Sequence, residues 1–109
     1  MRIFTDSVAS ICHHKIKLWN VIDEKCVATL EGHNEAIGSV IFSPDGSFIV
    51  SGSDDRTVKL WRVSDGKYIV TLENHRSGVH SVAFSRDSSL IASGSGDGTI
   101  GLWEVMSNQ

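Results

Sequence analysis

Apolar and polar positions alternate along this chain in runs of four to six residues, and turn-forming clusters punctuate them. Ile37 to Phe42, Phe48 to Ser51, Thr57 to Trp61 and Tyr68 to Leu72 are such runs, rich in β-branched and aromatic residues. That composition and a period of two predict strands. Between them lie Ser43-Pro44-Asp45-Gly46, a β-turn with Pro at its second position, and the tight polar turns Asp54-Asp55-Arg56, Ser64-Asp65-Gly66 and Gly96-Asp97-Gly98. No helical period is sustained over the length a helix needs. Four short strands joined by hairpin turns make one small antiparallel sheet.

The pattern repeats. Tryptophan occurs at 19, 61 and 103, at a constant spacing of 42 residues, each time after a leucine. Residues 32–61 fall on 74–103 without a gap, with 15 identities in 30 positions. Residues 21–31 fall likewise on 63–73, and 6–19 match only the tail of the unit. The organisation is thus a partial, degenerate repeat at 1–31, a full repeat at 32–73, and a repeat lacking its last strand at 74–109. In this alignment Ala9 stands where Ser51 and Ser93 stand, and His13 where Asp55 and Asp97 stand. A single four-stranded sheet cannot bury its own faces, so the units must stack.

The repeat resembles a WD repeat. Gly32-His33, Ser43-Pro44-Asp45-Gly46, Ser51-Gly52-Ser53-Asp54-Asp55 and Val58-Lys59-Leu60-Trp61 follow that family's pattern in order and spacing. His75, Ser93-Gly94-Ser95-Gly96-Asp97 and Ile100-Gly101-Leu102-Trp103 follow it again. The eponymous Trp-Asp is absent, since Asn20, Arg62 and Glu104 follow the three tryptophans. The resemblance implies an all-β fold of β-propeller blades, about two and a half four-stranded antiparallel units. It also implies that His33, Ser51, Asp55 and Trp61, with their repeats His75, Ser93, Asp97 and Trp103, form a hydrogen-bond network inside each blade. A catalytic site is needed once, whereas this set recurs, so the structural reading is preferred to a Ser-His-Asp triad. The family's peptide contacts map onto Ala36, Gly38, Asp54, Gly78, His80 and Gly96. Of these, the glycines and alanine also read as residues fitted to crowded strand ends; Asp54 and His80 are the polar members.

Charge narrows the function further. Ten Lys and Arg against 13 Asp and Glu give a net charge of −3, which argues against a phosphate-gripping, nucleic-acid-binding face. The outward charges mix signs, as a solvated surface does. No targeting peptide or apolar span is read, so the expected location is cytoplasmic or nuclear, with no membrane partner. Cys12 and Cys26 lie in strand-like stretches and are expected to be reduced and buried. His13 and His14, as neighbours on a strand, would point to opposite faces and not easily chelate one ion together; the plainer reading of the pair is a degenerate turn in a terminal unit. No phosphate loop, cofactor motif or metal-ligand set appears. The expected function is a non-catalytic protein-interaction or scaffold module, a fragment or short paralogue of a larger propeller protein, with protein or peptide partners. Propellers close with roughly 4–8 blades, and this chain offers ten strands. The alternative is a purely architectural segment that completes a ring by head-to-tail assembly of copies; an enzyme on the propeller scaffold ranks below both.

Overall fold

A computed structural model describes residues 7–73 and 75–105. They form ten strands: β1 (Ser7–Cys12), β2 (Lys15–Asn20), β3 (Cys26–Glu31), β4 (Ile37–Phe42), β5 (Phe48–Ser53), β6 (Val58–Arg62), β7 (Tyr68–Leu72), β8 (Val79–Phe84), β9 (Leu90–Ser95) and β10 (Ile100–Glu104). There is no helix among the described residues, hence none long and apolar enough to cross a membrane. The strands pair antiparallel into three sheets, β1-β2-β3, β4-β5-β6-β7 and β8-β9-β10. The sheets stack as successive blades of an incomplete propeller, with no closed ring.

Stacking creates two apolar seams. Ile16, Leu18 and Leu30 of the first sheet pack against Ile37, Ile49 and Trp61 of the second. Val50, Val58 and Leu60 of the second pack against Val79, Val82 and Ile91 of the third. Each sheet therefore carries two distinct faces, and the same kind of face meets the same kind of partner twice. The corresponding pair on the third sheet, Ile100 and Leu102, is 75% and 71% exposed, whereas Val58 and Leu60 are 0% and 5% exposed.

The seam between the second and third sheets is tight because Gly52 lies in it. A Cβ at Gly52 would stand 2.5 Å from a γ-carbon of Val79, so valine fills the space that a side chain would occupy. Hydrogen bonds also cross the seams: Ile37 N–H donates to the His13 carbonyl at 2.8 Å, and Val82 N–H to Ser39 Oγ at 3.3 Å.

The turns follow the sequence closely. In Ser43-Pro44-Asp45-Gly46-Ser47, Asp45 Oδ1 accepts from both serine hydroxyls and from Ser47 N–H, while Gly46 takes φ of 78°. The third sheet repeats the clasp around Asp87, with Ser88 at φ 65° in place of the glycine. The proline is thus dispensable to this turn, and the aspartate with its two serines is common to both.

Three expectations need correction. The β1–β2 turn is one residue shorter than the β5–β6 turn: four residues separate the pair Ile11–Ile16, against five for Gly52–Val58. A uniform spacing of 42 therefore fails in β1, and Ser10, not Ala9, takes the place of Ser51. Ser10 pairs Lys17 as Ser51 pairs Lys59, and Ala9 pairs Leu18 as Val50 pairs Leu60.

Secondly, the opposite-faces argument made for strand neighbours fails for His13 and His14, whose turn reading is the one the structure has. They form the two-residue turn itself, with His13 at φ 56°, the sign that a type II′ hairpin requires at its first central residue. Their Nδ1 atoms lie 2.9 Å apart.

Thirdly, Cys12 and Cys26 are free and exposed. Cys26 pairs with Trp19, and Trp19 with Val8, at the end of the sheet away from Cys12. Both thiols belong to the face of the first sheet against which no described sheet packs.

Candidate functional site

The Ser, His, Asp and Trp that recur in the sequence meet inside the second sheet. His33 arrives on the β3–β4 loop, Ser51 on β5, Asp55 on the β5–β6 turn and Trp61 on β6. Burial holds the His33 pKa below its ordinary 6.5, although Asp55 pulls the other way, so the ring is neutral near pH 7. A single direction of donation then fits every contact. Trp61 Nε1–H donates to Ser51 Oγ at 3.0 Å, and the Ser51 hydroxyl donates to His33 Nε2 at 2.7 Å. His33 Nδ1–H in turn donates to Asp55 Oδ2 at 2.9 Å. Each buried polar atom is satisfied, as a low-dielectric interior demands.

Asp55 is held from both sides. Its Oδ2 also accepts Asn34 N–H at 3.0 Å, and its Oδ1 accepts Thr57 N–H at 3.0 Å and the Thr57 hydroxyl. Burial pushes this carboxyl up, but the bonds from Thr57, Asn34 and His33 outweigh it and hold the pKa at about 2. Ser53 Oγ adds a second clasp: it accepts Asp55 N–H at 3.0 Å and donates to the Glu35 carbonyl at 2.9 Å. The β3–β4 loop is thereby fastened to the β5–β6 turn.

The order of atoms is that of a Ser-His-Asp triad, but its chemistry is closed off. Ser51 is fully buried, its proton is committed to the imidazole, and its oxygen already accepts the indole N–H. A nucleophile needs room for a reacting carbonyl about 3 Å away, and here the indole fills that side.

The third sheet departs from this arrangement. His75 Nε2 meets Ser93 Oγ at 2.7 Å, and Trp103 Nε1–H donates to the same oxygen at 3.1 Å. Among the described residues, no hydrogen bond joins His75 to Asp97. His75 Nδ1 instead meets Thr99 Oγ1 at 3.1 Å, and the Thr99 hydroxyl donates to Asp97 Oδ1 at 2.6 Å. The expected direct His75–Asp97 contact is thus replaced by a threonine relay. Asp97 stands exposed between Gly96 and Gly98, and Thr99, through its hydroxyl and N–H, keeps its carboxyl at about 2. In the first sheet only Trp19 to Ser10, at 2.9 Å, remains.

Thr57, Thr99, Ser53 and Ser95 were not among the expected site residues. All four recur at the 42-residue spacing within Ser51-Gly52-Ser53 to Thr57 and Ser93-Gly94-Ser95 to Thr99, which was the available signal.

The six residues expected to meet partners gather at the same end of the sheets as this network. The Ala36 carbonyl accepts Asp54 N–H at 2.8 Å, and the Gly78 carbonyl accepts Gly96 N–H at 3.0 Å. Asp54 packs across the seam on Gly78, where a Cβ would come 2.9 Å from its Oδ1. Gly38 and His80 occupy equivalent β-bulges. A Cβ on Gly38 would lie 3.2 Å from the Val79 carbonyl, because the third sheet presses there. His80 is exposed, with its ring edge near Gly94. The arrangement leaves one carboxylate, Asp54, at the solvent edge of the seam between the second and third sheets, and one imidazole, His80, on the face of the third sheet that no described sheet covers.

Stacked antiparallel blades of three and four strands, with an internal Trp–Ser–His network in two of them, define a propeller repeat protein. The chain belongs to the family described as WD domain, G-beta repeat, whose pattern matches residues 24–62 and 66–104. Each match begins on the outer strand of one sheet and ends within the next, so repeat and blade are out of phase by one strand. Such repeats typically build protein-interaction scaffolds.

Among similar proteins, nuclear distribution protein PAC1 of Coccidioides posadasii is 46% identical over 41 residues, 38% of this chain and 9% of that protein. Apoptotic protease-activating factor 1 of Danio rerio is 41% identical over 49 residues, 45% of this chain and 4% of that one. Protein Mut11 of Chlamydomonas reinhardtii is 56% identical over 34 residues, 31% of this chain and 9% of that protein. The matches span under a tenth of the length of these relatives.

Proposed function

We propose that this chain is a non-catalytic scaffold segment of a larger WD-repeat propeller, which presents protein or peptide partners with the end of the sheets that carries Asp54 and His80. The observation that carries this reading is the division of labour among polar residues. In the second sheet, where Ser, His and Asp stand in line, they are largely buried and spent on one another, and in the third the Ser and His are buried and bonded to each other. The polar residues that differ between the units, Asp54 against Gly96 and His80 against Gly38, are exposed, the first at the seam and the second on the uncovered face of the third sheet. Interaction sites need side chains that solvent and partner can reach, and that are not already satisfied.

The contrast between exposed Ile100 and Leu102 and buried Val58 and Leu60 supports membership of a larger ring, because this is a blade-covering face. A cytoplasmic or nuclear setting fits the free thiols. The test is affinity capture from cell extract with the wild-type chain and with Asp54→Ala/His80→Ala, compared by quantitative mass spectrometry. The reading expects a discrete captured set that the double variant loses while its circular dichroism is unchanged. An identical captured set would remove Asp54 and His80 from the interaction surface. A catalytic reading would instead require ester or peptide turnover that Ser51→Ala abolishes.

The second reading is an architectural segment that completes a ring from copies of itself. The apolar exposure of Val8, Val21, Ile22 and Val27 on the first sheet and of Ile100 and Leu102 on the third favours it. Light scattering on a sizing column decides: a single discrete oligomer supports self-assembly, and a monomer excludes it.

A further inference from the structure

The His13-His14 turn belongs neither to the network nor to the pair Asp54 and His80, and its geometry has a chemical use. We propose that this turn is a two-imidazole binding site for copper(II), held open to solvent at the tip of the first sheet.

The donor set comes first. The Nδ1 atoms of His13 and His14 stand 2.9 Å apart, with the ring planes nearly perpendicular at 84°. Two nitrogens each about 2.0 Å from one ion are about 2.8 Å apart at a right angle and about 3.3 Å apart at the tetrahedral angle. A hydrogen bond sets that spacing in the metal-free turn, and it keeps the two nitrogens close enough that ring rotation can bring both to adjacent positions of a square-planar or tetragonal ion, the geometry that copper(II) prefers with nitrogen and oxygen donors. Copper(II) also heads the order of affinity among first-row divalent ions, which favours it at a site with only two protein donors. Water fills the remaining positions.

The backbone fixes the donors. His13 is locked at φ 56° in a two-residue turn, and its carbonyl accepts Ile37 N–H from the second sheet at 2.8 Å. The strands on either side are paired from Cys12–Lys15 onward. The two Cα atoms are thus positioned before any ion arrives, and only rotation of the rings about their side-chain bonds is needed to aim both Nδ1 lone pairs at one point. The adjacent cation is engaged elsewhere, since Lys15 Nζ lies 3.9 Å from Glu31.

The protons balance with water as their carrier. In the metal-free protein one Nδ1–H donates to the other Nδ1. On binding, the donor ring gives its Nδ1 proton to water and takes one at Nε2, and both neutral rings present Nδ1 to the ion. The same turn supplies the His13 carbonyl to the sheet-to-sheet contact, so metal occupancy and the first seam are coupled.

The experiment is titration of the full chain with copper(II) in a weakly coordinating buffer at pH 7.4, followed by electron paramagnetic resonance. The expected result is one equivalent bound, with superhyperfine structure from two imidazole nitrogens. His13→Asn, which tolerates the left-handed backbone, and His14→Gln are each expected to weaken binding about tenfold or more, as loss of one of two chelating donors should. His80→Gln should leave it unchanged. Unaltered binding in the His13→Asn/His14→Gln variant, a single-nitrogen signature, or no binding at all overturns the proposal. Indole N–H resonances of the variants show that folding is retained. Slower amide exchange at Ile37 on addition of zinc(II), a diamagnetic surrogate, would report the coupling to the seam.

Discussion

Truncating the serine hydroxyl that joins tryptophan to histidine isolates what the network contributes, because the same serine exists in three settings. In the second sheet Ser51 Oγ bonds His33 Nε2 and Trp61 Nε1, and all three residues are buried. Ser51→Ala leaves an indole N–H and an imidazole nitrogen without partners, in space too small for water to enter. At about 1–3 kcal/mol for each of the two unsatisfied buried groups, the expected loss is about 2–6 kcal/mol. In the third sheet Ser93 makes the same two bonds, but Trp103 is half-exposed. Water can serve its N–H, so Ser93→Ala is expected to cost about 1–2 kcal/mol. In the first sheet Ser10 is exposed and bonds only Trp19, and Ser10→Ala should cost less than about 0.5 kcal/mol. The assay is urea unfolding of the three variants, with the three indole N–H resonances reporting each sheet separately. A cycle with Trp61→Phe adds a check: without the indole donor, Ser51→Ala should cost about 1 kcal/mol less. Equal losses at Ser51 and Ser10, or additive losses in the cycle, would refute the network as the source of stability.

Other expectations follow from the same geometry. The His33 pKa is held below 6.5 in the fold, so its contribution is complete above pH 6.5 and is lost as pH falls through the window below; His33→Gln should flatten the urea midpoint below pH 6.5. Asp55, at about 2 against an ordinary 3.8, contributes fully above pH 3.8 and fails between 3.8 and 2, a step that Asp55→Asn should remove from an acid titration followed by circular dichroism. Gly52→Ala places a carbon 2.5 Å from Val79, whereas the nearest atom to a Cβ at Gly94 is 3.8 Å away; overpacking should make the first cost about 2 kcal/mol and the second little, and equal urea midpoints would contradict the seam. Leu102→Lys should leave the unfolding midpoint near wild type and reduce light scattering at high concentration, while Leu60→Lys, at the buried equivalent, should abolish the cooperative transition.

Much of the architecture was legible because two independent signals agreed. The period of two marked the strands, and the spacing of 42 marked the blades. The ends of β4 and β7 are those expected, and β5 runs only two residues further, through the small residues Gly52 and Ser53. Propensity undervalued those two. They belong to the strand because a neighbouring sheet needs the space a larger side chain would take.

What the repeat hid was its own local failure. Superposition at a constant spacing assumes that every turn keeps its length, and the β1–β2 turn is one residue short. One residue in a strand exchanges its faces, so the alignment placed Ala9 in the serine position and turned the real serine, Ser10, toward the wrong side. The tryptophan could have arbitrated: a buried or half-buried indole N–H needs an acceptor across the ladder, and from Trp19 only Ser10 stands at the register that Ser51 holds to Trp61. The shortened turn consists of His13 and His14 alone, which brings their ring nitrogens together.

The functional residues separate along a related line. Where two units agree, as at His33 and His75 or Ser51 and Ser93, the shared requirement is internal: every blade has a loop to fasten and an indole to satisfy. Where they disagree, the reason lies in what covers each sheet. Position 38 is glycine because the third sheet presses its backbone to within a van der Waals contact there. The equivalent position 80 carries an imidazole because no described sheet lies against it. A further blade seated on the third sheet as closely as the third sits on the second would meet the His80 side chain. It would have to accommodate the ring, or leave it at the rim. Exchanging the two tests this directly: Gly38→His should weaken the seam between the second and third sheets, since a Cβ there meets the Val79 carbonyl at 3.2 Å, by about 1–3 kcal/mol of overpacking. His80→Gly should leave the fold unchanged in urea and remove one of the two groups proposed to meet partners. If Gly38→His is tolerated without loss, the seam is looser than these contacts imply, and the difference between positions 38 and 80 is no guide to function.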